Sequence, residues 1–202
     1  RVQSATKGNV LLRKKQYQLA DDESWSLHVA RLMIGGKIQN YRNILRRYIR
    51  DYGENENINR AVQVLEHAKR EALAAQDKTT LIGYEGMASN AYFEVLPVLV
   101  LNQKADFPFH GRNRRPPKDA VNAMLSFAYT LIANDTSAAL ETVGLDPYVG
   151  FLHTLRPGRT SLALDMMEEF RAYLGDRFVL SLINKRQITS KDFLFQGDNG
   201  VV

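Results

Sequence analysis

The sequence predicts an all-α fold: one multi-helix domain over residues 21–202, preceded by a short extended piece over residues 1–20. Three observations predict it. Apolar residues recur at steps of three and four over long stretches, the signature of helices with one buried face. Several of these stretches start just behind an aspartate or asparagine able to cap a helix. There is also no internal repeat and no βαβ alternation.

Taken in order, the opening GNVLLRKKQY, through Tyr17, reads as extended with no partner strand in view, the remnant of a separate N-terminal region. Asp21 and Asp22 are cap candidates for a long helix from about Glu23 to Tyr52, in which Leu27, Ala30, Ile34, Ile38, Tyr41, Leu45 and Tyr48 keep the period. Lys37, Arg42, Arg46, Arg47 and Arg50 are assigned to its other faces. Gly35-Gly36 marks a weak point in that helix or a close approach by another backbone. Asn57 is placed as the cap of a second helix carrying Ile58, Ala61, Leu65, Ala68 and Ala72. A third helix holds LIGYEGMASNAYF and ends near Pro97. Residues 102–118, NQKADFPFHGRNRRPPK, combine prolines, a glycine and clustered cations, and are predicted to be an exposed loop. Asp119 caps a fourth helix with Ala120, Ala123, Met124, Phe127 and Leu131, and a separate short helix closes at Gly144. Asp146-Pro147 makes a tight entry to YVGFLHT. Beyond the turn at Arg156-Pro157-Gly158, one helix is expected from about Ser161 to Leu174 and another from about Asp176 to Asn184.

Composition narrows the function. At 202 residues and 45% hydrophobic, the chain can bury a real core. It has no cysteine, so disulfides and thiolate metal sites are excluded, and a reducing, cytoplasmic setting is expected. No apolar run approaches the ~18 residues of a membrane span, and no signal peptide is expected. Lysine and arginine outnumber acids 27 to 22, a +5 excess that matters because part of it is clustered.

Three places could carry chemistry. Glu85 begins a helical face shared with Ala88, Ser89 and Tyr92, an odd position for a carboxylate because that face should be buried. His153 ends an apolar run just before a Pro-Gly turn. Asp165 and Glu168 stand three apart in SLALDMMEEF and share a helix face. Each has an ordinary explanation: an arginine's partner, a satisfied core histidine, a solvated acidic face. Taken together, an imidazole and two carboxylates form a hard nitrogen–oxygen donor set suited to Mg²⁺ or Mn²⁺. Such an ion can assist phosphodiester chemistry. HGRNRRPPK and the arginines of the first long helix, Arg46 among them, would hold a polyanion through Arg112, Arg114, Arg115 and Lys118. No glycine-rich phosphate loop, G-x-S-x-G elbow or H-E-x-x-H motif competes.

The segments GNVLLRKKQY, GYEGMASNAYF, RNRRPPKDAVNAMLSFAY, GLDPYVGFLHT and SLALDMMEEFR, in this order, resemble the CRISPR-associated Cas-one endonuclease family, the integrases of spacer acquisition. GYEGMASNAYF and LHTLRPGRTSLALDMMEEF look closest to subtype I-C members. The resemblance implies a helical C-terminal catalytic domain with a Mg²⁺ or Mn²⁺ site on Glu85, His153 and Glu168, and Asp165 as a supporting acid. It also implies that residues 1–20 are what is left of a β-rich N-terminal domain. The implied partners are double-stranded DNA (a spacer precursor and the CRISPR repeat), a second copy in a homodimer and a Cas-two dimer, with no membrane. The alternative is a non-catalytic helical DNA-binding or scaffolding protein.

Overall fold

The computed structural model describes residues 9–113, 115–195 and 200–201, and its architecture is all-α. In chain order the helices are α1 (Val10–Asp21), α2 (Glu23–Tyr52), α3 (Glu56–Ala74), α4 (Lys78–Leu99), α5 (Ala120–Thr142), α6 (Ser161–Phe170) and α7 (Arg177–Asn184). A six-residue π turn, Arg171–Asp176, joins the last two into one rod. Among the described residues the sole β pairing is an antiparallel bridge between Phe195 and Val201.

The extended reading of the N-terminal piece is overturned over residues 10–17, which are helical; residues 1–8 lie outside the described residues. Asn9 caps α1 by accepting from the Leu11 and Leu12 amides. The helix is held mainly by polar contacts far along the chain. Buried Gln16 donates to the carbonyls of Asp146 and Val149, both at 2.8 Å, and accepts from the Asp146 amide at 2.9 Å. Tyr17 donates to the Asp146 carboxylate at 2.6 Å. These contacts brace the turn that leads to His153.

α2 is the central element, with its capping Asp22 as expected. Ile34, Ile38, Tyr41 and Leu45 are buried against α3, whose small Ala61, Ala68 and Ala72 let the two helices lie close. α4 adds Leu81, Ala88, Tyr92 and Leu96, and Tyr92 stacks on Tyr41 with ring centroids 4.0 Å apart. At Gly35-Gly36 the close neighbours are side chains rather than backbone. An added Cβ would lie 2.9 Å from Leu73 of α3 or from Glu169 of α6.

Other expectations move by small amounts. The cap of α3 is Asn55, which accepts from the Ile58 amide, and not Asn57. The separate short helix before Gly144 is simply the end of α5, which stops where Gly144 turns to φ +86°. Ser161 to Asn184 is continuous because the π turn absorbs the expected break. The segment 102–118 is non-helical, but aromatic residues pin it inward. Phe107 and Phe109 are buried, packed beside Phe193 and Phe93 respectively. No helix among the described residues is long and apolar enough to cross a membrane.

Candidate functional site

Glu85 on α4, His153 on the loop after Pro147 and Glu168 on α6 line one open cleft of about 280 Å³, with Leu152, Arg159 and Arg171 beside them. These residues lie 68 and 15 positions apart in sequence, so only tertiary packing joins them.

The His153 loop lies directly on the first turn of α6 because residue 150 has no side chain. A Cβ there would come 2.5 Å from Asp165 Oδ2 and 2.8 Å from the Ser161 carbonyl carbon. In the space so left, fully buried Asp165 gathers the loop. Its Oδ2 accepts from the amides of Phe151 (2.6 Å) and Leu152 (2.9 Å), and its Oδ1 accepts from the His153 amide at 3.0 Å. Oδ1 also lies 2.6 Å from His153 Nδ1. A carboxylate partner there places the neutral ring's proton on Nδ1 and leaves the Nε2 lone pair available. Ser26 of α2 holds the same loop by donating to the Phe151 carbonyl at 2.8 Å.

Beneath the cleft, two cations neutralise the two glutamates. Lys37 Nζ hydrogen-bonds Glu85 Oε1 and lies 2.7 Å from Glu168 Oε2, while Arg171 reaches Glu168 Oε1 at 3.1 Å. Burial on its own would lower the Lys37 pKa, yet the value is raised by the groups around it. Tyr41 contributes only when ionised, so at neutral pH the two carboxylates hold the ammonium charged. Glu168 shows the converse. Burial would raise its carboxyl, but Lys37 and Arg171 outweigh burial and hold it below the usual value.

Neither cation was assigned to this site from the sequence. Lys37 falls between Ile34, Ile38 and Tyr41 on the buried stripe of α2, not on an outer face, and that spacing was the available signal. Arg171 stands three residues beyond Glu168, also a legible spacing.

The donors suit a hard divalent ion. His153 has a ring nitrogen to spare, and Glu85 borders the cleft. Glu168 Oε2 is buried and, despite the nearby ammonium, makes no hydrogen bond of good geometry. As they stand, though, no three histidine, aspartate or glutamate side chains among the described residues are spaced to hold an ion. The ammonium of Lys37, in contact with both carboxylates, takes up the charge that an ion would otherwise balance.

The expected nucleic-acid contacts divide. Arg115 and Lys118 are exposed, as is Arg46 on α2, whereas Arg114 lies outside the described residues. Arg112 corrects the expectation of an exposed cation. It is half-buried and donates to Asn122 Oδ1 at 2.7 Å and Ser126 Oγ at 3.0 Å, with its guanidinium 5.4 Å from the Tyr129 ring centroid. A planar fork of donors fits this polar and aromatic setting on α5, which is why it folds inward.

A family model described as CRISPR associated protein Cas1 matches residues 1–202. A CRISPR-associated endonuclease Cas1 of Chlorobaculum tepidum is 50% identical over 195 residues, 95% of this chain and 57% of the relative. The chain therefore spans a little over half of that relative's length. Among solved structures, a partial Cas6-RT-Cas1–Cas2 complex matches with a TM-score of 0.86 at 27% identity, covering 99% of this chain and 60% of the other. A casposase bound to an integration product matches with a TM-score of 0.78 at 27% identity, covering 95% and 55%.

Proposed function

Because this chain belongs to the CRISPR-associated protein Cas1 family, we propose that it carries the metal-dependent endonuclease and integrase site of CRISPR adaptation, inserting short DNA into an array by transesterification. The observation that carries this reading is the meeting of Glu85, His153 and Glu168 in one cleft, with the imidazole oriented by buried Asp165.

Glu85, Glu168 and His153 Nε2 would hold Mg²⁺ or Mn²⁺. When bound, the ion would supply positive charge for a phosphodiester's attacking and leaving oxygens. In strand transfer a DNA 3′-hydroxyl gives up its proton and attacks phosphorus: one P–O bond forms, another breaks, and the leaving 3′-oxygen takes up a proton. The chain's own contribution is positioning. Asp165 fixes the ring, Ser89 steadies Glu85 by donating to its Oε1 at 2.8 Å, and Arg171 is set by its place over the Tyr129 ring. Exposed Arg115, Lys118 and Arg46 would take the DNA backbone. The Cas6-RT-Cas1–Cas2 complex and the casposase bound to an integration product support this reading, in which the partners are double-stranded DNA and a Cas2 dimer. Homodimer formation in a cytoplasmic setting completes the proposal.

The test is Mn²⁺-dependent cleavage of linear and branched duplexes by the chain and by His153→Ala. The variant is expected to fold and to lose cleavage at every metal concentration. Equal rates would reject the metal site and favour a non-catalytic DNA-binding or scaffolding role.

A further inference from the structure

We propose that Lys37 is the resident counter-ion of this site: its ammonium holds Glu85 and Glu168 in position until a divalent cation displaces it. The inference rests on the metal-site reading above and names the residue that a cation must compete with.

Lys37 has 3% of its side chain exposed, and it touches a carboxylate oxygen on each of two other helices. Two carboxylates drawn together at a protected site repel each other strongly unless a cation lies between them. The lysine therefore preassembles the pair, and the fold needs no metal to form. The two cations of the cluster are not equivalent. Arg171 is planar and lies with its guanidinium 5.0 Å from the Tyr129 ring centroid, a setting that fixes it beside Glu168 Oε1. Lys37 is a compact charge on a flexible four-carbon stem, the type of group that can withdraw when a stronger cation arrives.

The oxygens matter as much as the charge. Glu168 Oε1 is committed to Arg171, so Oε2, the oxygen that faces Lys37, is the one left for another cation. Glu85 Oε1 takes both Lys37 and the Ser89 hydroxyl. Two anions balanced by two cations leave little net charge to attract an ion from solution, so Lys37 also weakens metal affinity.

The experiment measures Mn²⁺ binding by calorimetry and thermal melting at fixed pH and salt, for the full chain and for Lys37→Met, Lys37→Arg and Glu85→Gln. Without metal, Lys37→Met should melt several degrees below the parent, and Mn²⁺ should recover most of that loss. Its Kd for Mn²⁺ should be at least tenfold tighter, whereas Lys37→Arg should melt like the parent and bind Mn²⁺ no more tightly. If Lys37→Met folds only in Mn²⁺, seen by circular dichroism, the ion has replaced the ammonium and the proposal stands. A variant that stays unfolded in Mn²⁺, or one that binds Mn²⁺ no more tightly than the parent, overturns it while leaving the metal site intact. Failure of the parent and Lys37→Met alike to bind Mn²⁺, or unchanged binding in Glu85→Gln, overturns the metal reading beneath it.

Discussion

The least conspicuous residue of the site, Gly150, controls the most. Its missing side chain lets the His153 loop close onto Asp165, and a methyl group would meet a carboxylate oxygen and α6 backbone, neither of which can move cheaply. Gly150→Ala should cost about 1–3 kcal/mol, the usual range for overpacking, measured by urea denaturation. The histidine ring should lose its fixed orientation at the same time, visible as a changed imidazole signal in NMR. An unaltered stability would mean that the loop can lift without loss. Glu85, His153, Asp165 and Glu168 stood out in the sequence as candidates, each with an ordinary explanation, and it was the family resemblance that joined them into one site. The counter-ions were not placed with them. The spacing of Lys37 on the buried stripe of α2 and of Arg171 three residues beyond Glu168 was the signal, but only the packing of α4 and α6 against α2 reveals what the lysine faces.

At the scale of elements, the π turn Arg171–Asp176 is the irregular feature. It widens the rod by a step, holding Arg171 toward Glu168 and fully burying Asp176, whose Oδ1 accepts from Tyr129 at 2.5 Å. Burial raises the Asp176 carboxyl from its ordinary 3.8 to about 6, even though the Tyr129 hydrogen bond opposes the shift. Between those two values the folded chain binds the proton more tightly than the unfolded chain does. The stabilisation is therefore full below about pH 3.8 and is lost as pH rises through about 6. Relative to Asp176→Asn, the parent should lose up to about 3 kcal/mol between pH 4 and pH 7, at about 1.4 kcal/mol per pKa unit. Urea denaturation of both proteins across that range decides it, and a constant difference would show that the carboxyl is not perturbed. Helices with local caps, such as Asp22 before α2 and Asp119 before α5, were legible from sequence. α1 was not, although Asn9 caps it, because its anchor is Gln16 bonding to a turn 130 residues away, and no local periodicity records that. The π turn was read as a break between two helices, since one extra residue in a turn rotates the following apolar positions by about 100°.

At the scale of the whole molecule, the +5 charge is distributed between structural and exposed cations, and only the second kind can meet a phosphate backbone. Lys37, Arg171 and Arg112 are engaged inside, with Glu85 and Glu168, with Glu168, and with Asn122 and Ser126. Composition alone counted them with the rest. Arg115 and Lys118 remain exposed at the end of a segment that Phe107 and Phe109 fasten to the core, so their positions are set by the fold. Replacing both by alanine should weaken duplex binding to a similar extent for unrelated sequences, because phosphate contacts carry no base information. If each makes one phosphate contact, the slope of log affinity against log salt should become shallower by about 1.8, at roughly 0.9 per contact. Arg112→Ala should behave differently, lowering the melting temperature through the lost bonds to Asn122 and Ser126. Titrations of a labelled duplex at several salt concentrations, alongside thermal melts, separate the two behaviours. Unchanged affinity in the double variant, or binding indifferent to salt, would place the DNA path on another face of the molecule.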